Sequence, residues 1–367
     1  MNQERLEKLN KQVLAHGFDG IALVPGPNMV YLSGIHAHIS ERPIVLFIPA
    51  DDEPAIIIPT LEASKAQSAG ILKDRIFNWS DEEGYTGAFQ RACAQLELSD
   101  YLLGVEALHM RILELELLQR YAPGLTTAHV EPVMTALRIV KDENELTAMQ
   151  RAAEVAESAI HSLLSRIKIG QTEKQIAAML VEELVEAGSE GSPFGPIVSS
   201  GANASSPHAV PTDRPIQEGE LLVIDWGAII DGYPSDITRT FAVGEVEPEF
   251  VRVYETVRAA NAAAKEIARP GATGSELDRA AREVIEESGF GPYFIHRTGH
   301  GLGLEIHEPP YIVENNDEPL EVGSVFTIEP GIYLPGRVGV RIEDDVVITD
   351  TASRSLTSYP RELIQVG

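Results

Sequence analysis

Residues 224–241 read IDWGAIIDGYPSDITRTF, and they limit what this chain can build more than any other stretch. Three carboxylates, Asp225, Asp231 and Asp236, lie there among strand formers and turn residues. Asp231-Gly232 is a strong hairpin signal because both residue types tolerate a positive φ, and the flanks LLVIDWGA and SDITRTFAV both read as strands. With the loop centred on residues 230 and 231, Asp225 falls opposite Asp236. Like charges directly across a ladder are destabilising, so the pair requires either full hydration or a cation between the two acids. Leu221, Leu222, Val223 and Ile224 follow one another without a polar break, the pattern of a strand buried on both faces, and this favours the cation. Solvated strand-edge acids are the alternative.

A second hairpin repeats the logic. FTIEPGIY and VGVRIEDDVVI flank Pro335-Gly336, a turn that sets Glu329 opposite Glu343. Glu343-Asp344-Asp345 sits between Val340, Ile342 and Val346, so it reads as part of a strand rather than a surface acid run. Upstream of the hairpins, Thr172-x-x-Gln175 and Thr273-x-x-Glu276 look like capping boxes opening helices that glycines close. Helices followed by an acidic hairpin occur twice, which suggests two related halves. Between the hairpins lies YFIHRTGHGLGLEIHEPP, carrying His296, His300 and His307. Four acids and one imidazole, Asp225, Asp236, His300, Glu329 and Glu343, suit two divalent cations. Ions ~3.5–4 Å apart acidify a shared water and polarise the bond attacked. Oxygen-rich ligation favours manganese, with cobalt, zinc or iron as alternatives. Taken singly, His300 also fits a structural or solvated histidine. Gly299, Gly301 and Gly303 fit close backbone approach better than a phosphate loop, because the spacing is not G-x-G-x-x-G. Joint occurrence is what favours the metal site.

The remainder frames that site. Short apolar runs (GIALV, IVLFIP, AIIIP, LLGVE) alternate with helical patterns from residue 19 to about 131, predicting a small α/β domain. A long Ala-rich helical stretch begins near 133, so the expected domains are 1–132 and 133–367. The net charge of −27 argues against a nucleic-acid partner, since phosphates would be repelled; it also fits a solubility or salt adaptation. A single cysteine, Cys93, excludes an internal disulfide framework and fits a reducing compartment. The N-terminal NQERLEKLNKQVLAHG reads as a charged amphipathic helix, and no run approaches the ~18 apolar residues of a membrane span. A soluble cytoplasmic protein is expected.

At these residues the chain resembles the pita-bread metallopeptidases, the family of Xaa-Pro dipeptidase (prolidase), aminopeptidase P and methionine aminopeptidase. The resemblance covers the whole chain and implies an α/β (α+β) fold: an N-terminal creatinase-like domain, then a pita-bread catalytic domain with two pseudo-symmetric halves. It implies metal ligation by Asp225, Asp236, His300 in TGHGLGLEIHE, Glu329 in TIEPGIY and Glu343 in VRIEDD. His208 in SSPHAVP and His307 resemble the family's substrate and proton-handling histidines, and His296 and Arg341 also match. Glu329 is implied as proton acceptor, His307 as oxyanion stabiliser, and His208 and Arg341 in supporting roles. Arg297 resembles an arginine that meets the C-terminal carboxylate of a dipeptide in some bacterial prolidases, and HISER, with His38 and Arg42, resembles a loop that reaches the active site there. The implied activity is metal-dependent hydrolysis of Xaa-Pro dipeptides by a homodimer. Aminopeptidase P action on longer peptides, a related hydrolase of a non-peptide small molecule, and a non-catalytic binding homologue are the alternatives.

Overall fold

The computed structural model describes residues 1–367, which divide into two compact units, Met1–Arg138 and Ile139–Gly367. In the first, the charged N-terminal segment forms α1 (Gln3–Ala15), capped by Asn2 and burying Leu9 and Val13. Helices α2 (Pro27–Ser33), α3 (Ala63–Ser68), α4 (Thr86–Gln95), α5 (Ile112–Tyr121) and α6 (Glu131–Arg138) complete its helical set. Strands β1 (Gly20–Leu23), β2 (Val45–Pro49), β3 (Ala55–Pro59), β4 (Ile76–Trp79), β5 (Leu102–Val105) and β6 (Thr126–His129) form one mixed sheet in the order β4-β3-β2-β1-β5-β6. The four expected apolar runs are β1, β2, β3 and β5. The other two strands were not expected: β6 is an edge strand of sequence TTAH with no buried residue.

The long helix suggested from residue 133 is two helices, α6 and α7 (Glu143–Leu164). Val140 bridges to Ser324 and the Lys141 N–H donates to the Gly323 carbonyl, which straightens the chain between them. Asp142 then restarts the helix with a capping box to Glu145. A boundary at 132 and 133 would cut α6, which belongs with the first unit: the Tyr31 hydroxyl donates to Leu137 O and Arg138 donates to Asn28.

The second unit contains α7, α8 (Glu173–Glu186), α9 (Pro248–Ile267) and α10 (Gly274–Glu287). Strands β7 (Ile197–Ser200), β8 (Glu220–Trp226), β9 (Ile229–Ile230), β10 (Tyr233–Pro234) and β11 (Ile237–Val243) belong to its first half. Strands β12 (Gly299–Gly301), β13 (Glu308–Ile312), β14 (Val325–Ile328), β15 (Gly331–Leu334), β16 (Val338–Arg341), β17 (Asp344–Ile348) and β18 (Ser353–Ser355) belong to the second, and β19 (Gln365–Val366) returns to pair with β11. The sheets run β19-β11-β8-β7 and β13-β12-β14-β17-β18. Each half packs a helix pair under its sheet. Ile160, Leu163, Ile176 and Leu180 of α7 and α8 meet Leu222, Ile224 and Phe241; Val253, Val257, Leu277 and Ile285 of α9 and α10 meet Phe326, Ile328 and Val346.

The repeat extends to local detail. Thr172 and Thr273 both close capping boxes, and both form isolated bridges to a proline, Pro215 and Pro319. The second unit is thus two pseudo-symmetric halves, as the paired hairpins predict. No helix of the chain is long and apolar enough to cross a membrane.

Candidate metal centre and active site

The first hairpin is built by Asp231 and Gly232, with φ of 51° and 78°, so its centre lies one residue later than the sequence reading placed it. Ile230 pairs with Tyr233, and Asp225 faces Thr238 rather than Asp236. The correction is a two-residue slip, which preserves side-chain parity. Asp225 and Asp236 therefore share a face as diagonal neighbours. The neutral Thr238 stands where a second acid was expected; its hydroxyl donates to Glu343 Oε2 at 2.6 Å and accepts from Arg341 Nε at 3.0 Å.

In the second hairpin the register is as expected. Gly331 pairs with Arg341 on the turn side and Ile328 with Asp344 on the far side, which puts Glu329 level with Glu343 between two ladder segments.

His300 lies in β12 between Gly299 and Gly301, in a strand rather than a free loop. A Cβ on Gly299 would meet Thr327 O at 1.9 Å and one on Gly301 would meet Pro309 O at 2.2 Å, so neighbouring strands close on the histidine from both sides. The hairpins and this strand bring Asp236, His300 and Glu343 together with ligand atoms within 4.8 Å of one another. His300 Nε2 is also 3.4 Å from Glu329 Oε1, and Asp225, Glu329 and Arg341 line the same cavity of about 570 Å³.

The electrostatics of this cluster ask for a cation. Burial, then Glu343 and Asp225, hold the Asp236 carboxyl well above the usual range, and burial, then Glu329 and Asp225, do the same to Glu343. Burial pushes Glu329 up to about 7. Asp225 Oδ1, Asp236 Oδ1 and Glu343 Oε1 are buried without a hydrogen-bond partner.

His300 makes the same case. A carbonyl can only accept, so Nδ1 carries the proton it directs at Gly301 O, 3.2 Å away. Burial, helped by His307, lowers its pKa to about 3. Nε2 therefore presents a bare lone pair to Asp236 Oδ2 at 3.7 Å and Glu329 Oε1 at 3.4 Å. Lone pairs facing carboxylate oxygens attract only through a positive charge between them. The donor set fits a divalent cation.

Around the cluster, Arg341 is fully committed. It donates to Asp225 Oδ2 at 2.7 Å, the Tyr333 hydroxyl at 2.8 Å, Thr238 Oγ1 and Pro207 O, and the last contact ties down the loop that carries the exposed His208. His296 donates from Nδ1 to Arg297 O at 2.7 Å and accepts at Nε2 from Tyr333, 3.1 Å away, so both ring nitrogens are engaged. His307 stands at the cavity with its ring edge-on to His300, centroids 4.1 Å apart. Its loop is pinned by a buried ion pair, Lys141 Nζ to Glu308 Oε1 at 2.8 Å. Arg297 lines the cavity and lies over the Tyr311 ring.

Every residue lining the cavity comes from the second unit. His38 and Arg42 are in the first, where His38 is exposed and Arg42 forks onto Asp81 at 2.9 and 2.8 Å. Sequence reasoning did not single out Thr238, Tyr333 or Asp345. Asp345 is buried, held well above the usual carboxylate range first by burial, and accepts from the Asp236 N–H at 3.0 Å. Its place two residues beyond Glu343 on one strand was the available signal.

Two pseudo-symmetric halves that bury the Asp236 and Glu343 carboxylates without a lysine or arginine partner, around one neutral imidazole, fit a metal-dependent hydrolase. The sequence profile of metallopeptidase family M24 matches residues 147–350, and that of the Creatinase/Prolidase N-terminal domain matches residues 5–140. The chain belongs to metallopeptidase family M24 and is a peptidase of the prolidase type. It is 36% identical to an Xaa-Pro dipeptidase of Pyrococcus furiosus over 99% of this chain and 100% of that one. Among solved structures it superposes on a prolidase from Thermococcus sibiricus with a TM-score of 0.95 and 34% identity, covering 100% of both chains. An X-Pro aminopeptidase from Thermotoga maritima gives a TM-score of 0.87 and 31% identity, covering 98% of this chain and 99% of the other.

Proposed function

We propose that this protein hydrolyses Xaa-Pro bonds, preferring dipeptides, with two divalent cations held by Asp225, Asp236, His300, Glu329 and Glu343. Manganese leads the candidates because oxygen donors dominate, with cobalt, zinc and iron behind it. Bound there, the cations supply the positive charge that polarises a peptide carbonyl and acidifies water.

The chain's own groups do the rest. Glu329, whose carboxyl is raised to about 7 chiefly by burial, is the proton acceptor. His307, on the cavity wall beside His300, stabilises the developing oxyanion. Arg341 holds Asp225 in orientation, and with Pro207 it fixes the loop of His208, which orients substrate and relays a proton. His296, held on both nitrogens, shapes the wall. Proline lacks an amide hydrogen, so recognition of its ring falls to apolar wall residues such as Phe194, Ile197 and Ile306. His38 and Arg42 enter the proposal through the resemblance of their loop alone, as do a homodimer and a cytoplasmic location.

The observation that carries the dipeptide preference is Arg297. Of the two arginines on the cavity wall it is the one whose side chain makes no hydrogen bond or ion pair, so its donors are free for a substrate carboxylate. The names of the Pyrococcus and Thermococcus relatives support this reading. That of the Thermotoga structure supports a second, release of the first residue from longer Xaa-Pro peptides.

Turnover of Ala-Pro and Ala-Pro-Ala with added manganese separates the two. Arg297→Ala is expected to lower kcat/KM for Ala-Pro roughly ten- to a hundredfold, and far less for Ala-Pro-Ala. Equal losses on both peptides favour the aminopeptidase reading.

A further inference from the structure

The Arg297 guanidinium has no hydrogen-bond or ion-pair partner, yet a long side chain with free donors orders only if something else holds it. Its guanidinium carbon lies over the ring of Tyr311, 4.6 Å from the centroid. Tyr311 is not on the cavity wall; it backs Arg297 from outside, 38% exposed. The strands that carry them are joined: Gly299 in β12 pairs antiparallel with Ile312 in β13, and the Thr298 N–H donates to Ile312 O at 3.0 Å, which anchors the backbone one residue from each side chain. Burial of Ile312 in the core turns Tyr311 outward, flat-faced toward Arg297. A face-on aromatic contact occupies the guanidinium plane and leaves its N–H edge unused. Arg341, on the same cavity, shows the opposite arrangement: its donors are spent on Asp225, Tyr333, Thr238 and Pro207.

We propose that Tyr311 is a positioning residue for substrate specificity: its ring is the platform that presents the N–H edge of Arg297 to the free C-terminal carboxylate of a dipeptide. The proposal rests on the reading that Arg297 binds that carboxylate. Removing the platform lets the guanidinium swing and weakens recognition of the charged terminus, while the catalytic groups stay in place. The effect belongs in KM for substrates with a free carboxylate.

The test compares kcat and KM for Ala-Pro and for Ala-Pro amide in the manganese-loaded protein and in Tyr311→Ala, Tyr311→Phe and Arg297→Ala. A cation over an aromatic face at a partly exposed site predicts that Tyr311→Ala lowers the Ala-Pro to Ala-Pro-amide ratio of kcat/KM about two- to fivefold, through KM. Tyr311→Phe, which keeps the ring face, should restore the ratio. Two results overturn the platform while leaving the carboxylate reading intact. In one, Arg297→Ala collapses the ratio but Tyr311→Ala leaves it unchanged; in the other, Tyr311→Phe loses as much as Tyr311→Ala. If Arg297→Ala itself leaves the ratio unchanged, the carboxylate reading fails and the platform with it.

Discussion

Glu343 and Asp344 are consecutive, fully buried carboxylates, and they occupy opposite electrostatic worlds. Successive side chains on a strand point to opposite faces, so Glu343 and Asp345 look toward the cavity side while Asp344 looks into the C-terminal part of the fold. There Asp344 accepts from Arg239 Nη2 at 2.9 Å, Lys265 Nζ at 3.3 Å, Arg361 Nε at 2.6 Å and Thr357 Oγ1 at 3.0 Å. These cations more than overcome burial and hold its carboxyl well below the usual range. On the other face no lysine or arginine donates to the carboxylate of Asp236 or Glu343, and each carboxylate keeps a buried oxygen without a partner. Burial alone therefore does not mark a metal site. What marks it is burial without a lysine or arginine partner, an arrangement of carboxylates that a bound cation neutralises.

The sharpest way to break this comparison is to mutate across it. Glu343→Ala or Asp236→Ala should abolish bound metal, read by elemental analysis, and take turnover to background. Asp344→Asn should keep the metal and instead destabilise the fold by about 3–5 kcal/mol in urea unfolding, because it leaves the buried Arg239 without its counter-charge. Metal retained in Glu343→Ala, or lost from Asp344→Asn that is still folded, would sink the distinction.

A smaller effect is expected one residue away from the metal cluster. His307 packs edge-on against His300, but its own polar atoms make no contact with the acids. His307→Ala should therefore retain bound metal at the parent's level and lower kcat about 10²-fold, the usual range for losing a proton-transfer or oxyanion group. A raised KM at near-normal kcat would make it a binding residue instead.

How much of this was legible in the sequence follows from what each residue depends on. The second hairpin could be registered because Pro335-Gly336 marks its centre and apolar residues flank the turn on both sides. The first slipped because Ala228-Ile229-Ile230 offers no polar break to show where the strand ends, and Asp231-Gly232 was bracketed one residue early. The slip did no damage to the site, since two residues return a side chain to the same face. The convergence of Asp236, His300 and Glu343 was legible only through residue types and a resemblance. The Lys141–Glu308 pair, 167 residues apart, and the Tyr311 platform under Arg297 leave no local pattern at all. Contacts of that kind depend on which loops the tertiary fold brings together. Asp344 and Asp345 show the limit most clearly: as letters they are identical, and only the strand's two faces tell them apart.

The finest test of the comparison is the pH dependence of stability in chelator-treated, metal-free protein, where the two faces should act with opposite sign. Asp344 has a depressed pKa in the folded state, so its contribution is present above the ordinary value of 3.8 and fades as pH falls below it. Glu329 moves from 4.5 to about 7 on folding, with Asp236 and Glu343 raised as well. The folded state then binds protons more tightly than the unfolded one, so this contribution is full below 4.5 and is lost as pH rises toward 7. Glu343→Gln removes one of the crowded charges. Its Tm should exceed that of the metal-free parent at pH 7, by the few degrees that about 1 kcal/mol yields, and the gap should close on acidification to 4.5. Asp344→Asn should do the reverse, with a Tm deficit that is largest near pH 7 and shrinks below 3.8. Saturating manganese should erase the gain in Glu343→Gln by stabilising the parent and not that variant, and leave the deficit in Asp344→Asn unchanged by stabilising parent and variant alike. Two difference curves of the same sign would mean that the acids beside His300 are already compensated without a metal.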